Sequence, residues 1–261
     1  MRVLVTFAVD AEFAPWRKLR DFTHVDYDGL QLWRAKAGNA DITALLTGVG
    51  AQSATRAMGL MMNMADEDKY FDVCVSSGLA GALCDTLAVG DIIAPQSLLA
   101  ESPHADLASD QLVVDGDLRE LALQAGAVNA NCLFTSERLL VKASQKTACA
   151  SRAQSVDMES FDIVKEASAW GARCVVVRAV SDSAKEDLPI DFSLALSRNH
   201  QISVSKVLLQ LLKNPFALPA LIRFGEQSRS AAGRLAKFLD NYVQALATVG
   251  RERRTKEVAA S

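Results

Sequence analysis

The 261-residue chain carries 28 Lys and Arg against 31 Asp and Glu, a net charge of −3, which excludes the global basic field that nucleic-acid binders use. Half of its residues are hydrophobic and 23% are charged. That balance fits one α/β domain with a large buried core, and no apolar run approaches the roughly 18–20 residues that span a bilayer.

Met1–Ala8 is apolar but short, and Asp10 and Glu12 follow it. It reads as a first strand, with its core at Val3–Ala8, and not as a signal peptide. The stretch from His24 to Lys36 alternates around Asp28-Gly29, which predicts a hairpin. Asp41–Leu46 is a strand, followed by Thr47-Gly48-Val49-Gly50. Ala51–Met64 has helical periodicity. Phe71–Ser76 reads as a strand ending in a Gly-rich turn, Ser77-Gly78-Leu79-Ala80-Gly81. Strands are expected at Asp91–Ala94 and Asn131–Thr135, and helices at Leu118–Ala125 and Val156–Trp170. Arg173–Val180 is the clearest buried strand, because Val175-Val176-Val177 shows no polar alternation.

Strands alternating with helices predict a three-layer α/β/α domain with a central mixed, largely parallel sheet over residues 1–213. Ligands in such folds bind beyond the carboxyl ends of strands. A helical extension is expected over 214–249, where Leu235, Phe238, Leu239, Tyr242 and Leu246 recur at helical spacing, and a disordered basic tail over 250–261. From Asn214 onward eight Lys and Arg stand against four Asp and Glu. The helix reads as packed on the domain or on a second subunit; the alternative is a helix lying on a membrane surface. Five cysteines without C-x-x-C spacing point to reduced, buried thiols in a cytoplasmic protein. Three scattered histidines argue against a zinc site.

Three carboxylates, Glu12, Glu159 and Asp182, are predicted on one rim. Carboxylates in different environments can divide acid and base work. Taken singly each has a plainer reading: Glu12 as a helix cap, Glu159 as a partner of a helix dipole, Asp182 as an Asx-turn residue. Arg178, inside an apolar strand, needs a buried partner, and Glu159 is the obvious one.

The motif order goes further. Val156-Asp157-Met158-Glu159-Ser160 followed by Val175-Val176-Val177-Arg178-Ala179-Val180-Ser181-Asp182 resembles the V-E-M-E and V-V-R-A-I-S-D signature of the nucleoside phosphorylase and nucleosidase superfamily. Ala8–Glu12, Gly48-Val49-Gly50, Ser77–Leu83 and Val89-Gly90-Asp91-Ile92 are similar to stretches of its methylthioadenosine / S-adenosylhomocysteine nucleosidases. The likeness covers roughly residues 1–212. It implies cleavage of the N-glycosidic bond of an adenine-type nucleoside, without a metal or cofactor. Glu12 is then the base for an attacking water, and Arg178 positions that nucleophile and braces Glu159. Glu159 receives the ribose hydroxyls, with Met158 packed on the sugar. Asp182 protonates N7 of the base, held by Ser181, with Leu139, Leu140 and Gly78 about the base. Gly48, Gly50, Ser77 and Leu79 form the pocket of the nucleophile. The superfamily also implies a homo-oligomer.

Two departures bear on the reaction. Phosphorylases of the superfamily bind phosphate with an Arg and a Ser where this chain has Ser76 and Leu79. The reading therefore leans to hydrolysis, with phosphate left open as a co-substrate and a phosphorylase as the alternative. A nucleoside-binding protein without turnover is a second alternative. The segment Gly78–Leu83, Val156–Ser160, Asp187-Leu188-Pro189 and Asn214–Leu221 resemble the hopanoid-associated phosphorylase-like branch, which implies a bulky apolar 5′ substituent such as that of adenosylhopane.

Overall fold

Unbroken burial along three strands builds the centre of this chain. The computed structural model describes residues 1–27, 29–63, 71–100, 111–190 and 218–260. Strand β1 (Arg2–Phe7) leads into helix α1 (Asp10–Arg17), and the hairpin β2 (Thr23–Tyr27) and β3 (Leu30–Ala37) precedes β4 (Ala40–Leu46) and α2 (Ala51–Asn63). Then come β5 (Val73–Ala82), β6 (Ile92–Ala100), β7 (Gln111–Val113), α3 (Gly116–Gln124) and β8 (Val128–Thr135). The chain continues through α4 (Ala143–Cys149), β9 (Ser155–Asp157), α5 (Ser160–Ala169), β10 (Arg173–Asp182) and α6 (Leu218–Ala260).

The strands form one mixed sheet. Parallel pairings β4–β1, β1–β5 and β5–β10 make its core. The sheet also closes on itself: β10 pairs with β6, β6 with β8, β8 with β9, and β9 returns to β5 at Gly81 and Ala82. The three-layer expectation holds, because side chains of one strand leave in opposite directions. Val3, Val5, Val175 and Val177 pack with Phe13, Trp16, Leu235 and Leu239 of α1 and α6. Leu4, Cys74 and Val176 pack with Met58, Phe161 and Val164 of α2 and α5.

Three elements differ from the sequence reading. The presumed turn at Ser77–Gly81 is the second half of β5. Its small residues leave room for side chains that cross over them, as described below. The helix expected from Val156 begins at Ser160, because Asp157 ends a short strand and its Oδ2 accepts the Ser160 N–H at 3.1 Å. Helix α6 extends through 250–260, the stretch read as a disordered tail. The expected domain boundary at 213/214 lies outside the described residues. All five cysteines are free, yet only Cys74 and Cys174 are buried; Cys84, Cys132 and Cys149 are half-buried, against the expectation.

Helix α6 is part of the core. Tyr242 donates to the Leu118 carbonyl at 2.7 Å, and Asp240 accepts from Trp16 Nε1 at 3.2 Å and pairs with Arg20 at 2.8 Å. Among the described residues no helix is long and apolar enough to cross a membrane. Leu239 is fully buried whereas Leu218, on the same helix, is 48% exposed. Leu239→Ala should therefore lower the unfolding free energy by about 2–5 kcal/mol, and Leu218→Ala by less than about 0.5 kcal/mol. Denaturant unfolding measures both, and equal small effects would remove α6 from the core.

Candidate active site

The carboxyl ends of β1, β5 and β10, the loop after β9 and helix α1 meet at a cavity of about 810 Å³. Its wall includes Glu12, Leu79, Leu139, Met158, Glu159, Ser181 and Asp182. Helix α6 closes one side with Phe224, Ser228 and Ala232, and most of the remaining lining is apolar. Gly48, Gly50, Ser77, Gly78, Arg178 and Leu140 stand outside this wall. Leu140 packs with Leu83, Phe134 and Val156 and lines a smaller adjoining cavity together with Leu139, Met158 and Asp182.

Glu12 lies one turn into α1, and its carboxylate turns back to the chain. Oε2 accepts from the N–H groups of Ala8 at 2.9 Å and Val9 at 3.4 Å, and Oε1 from Leu79 N at 2.9 Å. It therefore caps the entry to the helix and faces the cavity at once. Burial pushes its pKa up, opposed by Arg178 and by those three N–H groups.

Arg178 is 1% exposed. Its Nη2 pairs with Asp157 Oδ2 at 2.7 Å, and Glu159 Oε2 lies farther off at 3.9 Å. The guanidinium also donates to Ser160 Oγ at 2.9 Å and to Ser76 Oγ at 3.2 Å. Arg178 thus pairs with Glu159, as expected, but its nearer counter-charge is Asp157, which the sequence reading did not name. Its Nη2 serves Asp157, Ser76 and Ser160. Asp157 is fixed in turn by Thr135 Oγ1 at 2.8 Å.

Glu159 is held from elsewhere. Its Oε1 accepts the Gly50 N–H at 2.8 Å, where Gly50 has φ 87°, a left-handed backbone that favours glycine. Gly48 donates its N–H to the Ala8 carbonyl at 3.0 Å and fixes the neighbouring loop. Burial raises the Glu159 pKa to about 8; Arg178 and the Gly50 N–H oppose this, and the charges of Asp157 and Glu12 add to it.

Asp182 ends β10. Its Oδ1 accepts from Ser181 Oγ at 2.6 Å, as the sequence reading expected of Ser181, and Oδ2 pairs with Lys146 Nζ at 2.5 Å. Lys146 comes from α4 and is 1% exposed. Sequence reasoning missed Asp157, Ser160 and Lys146. For Asp157 a signal existed: it shares a face with Glu159 two residues on, next to a strand with an unpaired Arg. For Lys146, in the polar run Ala143–Thr147, none existed.

Small residues in β5 make the approach possible. A Cβ on Gly78 would collide with Arg178 Nη1 and lie 3.0 Å from both Glu12 oxygens, and one on Gly81 would lie 2.9 Å from Asp182 Oδ2. Gly78 also has φ 142°. Ser77 is buried, and its Oγ has no hydrogen-bond partner.

An α/β sheet whose carboxyl edge gathers Glu12, Glu159, Ser181 and Asp182 about one cavity, with Arg178 buried behind them, defines a small-molecule site at the strand ends. The sequence matches the model of the phosphorylase superfamily over residues 2–214, and the chain belongs to that superfamily. It is 25% identical to the 5′-methylthioadenosine/S-adenosylhomocysteine nucleosidase of Shewanella baltica over 213 residues, 73% of this chain and 87% of the relative. The fold is similar to the Helicobacter pylori enzyme of that name in complex with butyl-thio-DADMe-Immucillin-A, with a TM-score of 0.69 at 18% identity, over 93% of this chain and 97% of the other. It is equally similar to the futalosine hydrolase of Helicobacter pylori, with a TM-score of 0.69 at 17% identity, over 93% of this chain and 97% of the other.

Two outcomes follow from the geometry. Gly78→Ala should lower stability by about 1–3 kcal/mol through overpacking; an unchanged melting transition would contradict the close approach. For Glu159 the folded-state pKa lies above the ordinary value of 4.5. The folded protein therefore binds more protons than the unfolded chain between pH 4.5 and about 8. This contribution to stability is complete below that window and is lost as the pH rises through it. Glu159→Gln should flatten the fall of stability across the window, measured by denaturant unfolding at a series of pH values. A slope equal to that of the parent would rule out the shift.

Proposed function

We propose that the chain hydrolyses the N-glycosidic bond of an adenine-type nucleoside that carries a bulky apolar 5′ substituent. The observation that carries this reading is the convergence of Glu12, Glu159 and Asp182 on one cavity. In the proposed reaction Glu12 takes a proton from water as the water attacks C1′. Burial that raises the Glu12 pKa suits a base working near neutrality. Glu159 receives the ribose hydroxyls, and Met158 packs on the sugar. Asp182 gives a proton to N7 of the departing base, with Ser181 fixing its carboxylate and Leu139 beside the base. Positive charge building on the sugar is relieved by the attacking water as Glu12 takes its proton, and negative charge building on the base by the Asp182 proton.

Hydrolysis is favoured over phosphorolysis by charge. The nucleophile side of the cavity presents Glu12 and the side chain of Leu79. Arg178 Nη2 already serves Asp157, Ser76 and Ser160. A phosphate dianion there would face the Glu12 carboxylate, which repels it. The relatives named as nucleosidases support the same choice. The apolar wall of α1 and α6 supports an apolar 5′ group; adenosylhopane is the substrate that the sequence motifs suggest. The cavity volume falls inside the range of about 300–1,000 Å³ typical of small-molecule sites.

The protein should release adenine from methylthioadenosine, adenosine or a lipid-tailed adenosine without added phosphate, followed by chromatography of the free base. Asp182→Asn should lower turnover at least about tenfold. Release that requires phosphate would replace hydrolysis by phosphorolysis. Tight adenosine binding with no release from any of the three would make the chain a binding protein.

A further inference from the structure

Lys146 is one of the largest fully buried side chains in the protein, and nothing in the reaction as written uses it. An ammonium withdrawn from water persists only where its hydrogens and its charge are met. All three hydrogens are met here. Nζ donates to Asp182 Oδ2 at 2.5 Å, to the Ser183 carbonyl at 2.7 Å and to the Glu186 carbonyl at 3.2 Å. Every acceptor belongs to the end of β10 or the chain just after it. The same stretch grips the start of α4 a second time: Asp187 accepts from Ala143 N at 2.8 Å and from Lys142 Nζ at 2.9 Å, and Leu188 N donates to the Val141 carbonyl at 2.8 Å. These latter bonds hold the segments together at the surface. The one buried charge is thereby spent on the carboxylate of Asp182.

We propose that Lys146 is a positioning residue for base protonation, the counter-charge of the carboxylate that remains when Asp182 has given up its proton. The inference rests on the proposed nucleosidase reading and deepens it. As the glycosidic bond breaks, its electron pair passes to the base. The Asp182 O–H bond breaks and an N7–H bond forms, leaving a carboxylate, which solvent later reprotonates. Lys146 Nζ faces Oδ2 and Ser181 Oγ faces Oδ1, so the orientation of the carboxylate and its charge are fixed from two sides. Lys146 lies outside the wall of the main cavity and lines, beside Asp182, the smaller one that adjoins it; in the proposal it acts through Asp182.

A double-mutant cycle tests this. Lys146→Gln keeps donors and removes the charge, and Lys146→Met removes both; melting transitions identify the variant that keeps the fold. Each is expected to lower kcat at least about tenfold with KM nearly unchanged, the signature of an interaction that strengthens as Asp182 gains charge in the transition state. In an Asp182→Asn background the same substitution should cost no further turnover, because both residues serve one step. A folded Lys146→Gln variant with the parent's kcat, or losses that multiply in the double variant, would overturn the proposal. The same cycle read on adenine binding by calorimetry separates the two inferences. Non-additive losses of affinity in a protein that releases no adenine would leave the clamp standing and remove the nucleosidase reading. Additive losses, or no adenine binding by the parent, would remove the clamp.

Discussion

A guanidinium sealed from water at the middle of the sheet sets the terms for everything around it. Arg178 stands in a strand whose neighbours are valine and alanine, where an unmet charge is prohibitively costly. Asp157 meets the charge at 2.7 Å, and Ser76 and Ser160 meet further hydrogens. Three consequences follow. β9 must bring Asp157 beside β10, so the sheet bends round to close. β5 must carry small residues where the guanidinium crosses it. Helix α5 starts at Ser160, whose hydroxyl accepts from Arg178 and whose N–H is held by Asp157. Glu12 and Glu159 then sit at the edge of a positive charge already neutralised by Asp157. That explains why burial, and not Arg178, dominates the pKa of each.

The closure of the sheet is also what makes the cavity. Parallel strands β1, β5 and β10 end on one rim, where ligands of α/β folds bind. β9 pairs with the last residues of β5 and with β8, and so carries Asp157, Met158 and Glu159 onto the same rim. Residues distant in sequence arrive together because three strands end at one level. The glycines do the complementary work. Gly78 and Gly81 are places in a strand where another side chain passes over the backbone, a use of glycine distinct from turning.

That distinction explains where the sequence was legible. The valine run of β10 could be read directly, because burial on both faces leaves no alternation. The same holds for Glu12, Glu159 and Asp182, each just beyond a strong element. The hairpin around Gly29 was legible from its turn chemistry. β5 was misread past Ser76, since Gly-Leu-Ala-Gly carries the composition of a turn, and only the crossing side chains reveal a strand. α1 was legible only as a helix for Glu12 to cap, and α4, seven residues long, not at all. Asp157 was hidden by the nearness of Glu159, which offered itself as the partner of Arg178. Lys146 had no local signal at all. Its meaning depends on a contact 36 residues away with Asp182, which no periodicity records.

Helix α6 joins stability to the cavity more tightly than a separate extension would allow. Ala231, Leu235, Leu239 and Tyr242 belong to the core cluster of β1 and β10, and Phe224 and Ser228 belong to the cavity wall. Ala232 is buried in the helix and also lines the cavity. The anchoring bonds of Tyr242 and Asp240 lie two to three turns beyond that wall. A packed element therefore sets the width of the apolar side, while Glu12 and Glu159 opposite are fixed by backbone N–H groups and Asp182 by Ser181 and Lys146. The two sides answer to different forces. The apolar side is placed by packing, which tolerates exchange of one hydrophobic residue for another of similar volume. The polar side is placed by hydrogen bonds to buried charges, where removing one partner leaves an unmet group. Under the proposed reaction, the fit to a 5′ substituent accordingly belongs to α6 and the apolar face of α1, and the chemistry belongs to Glu12 and to β9 and β10.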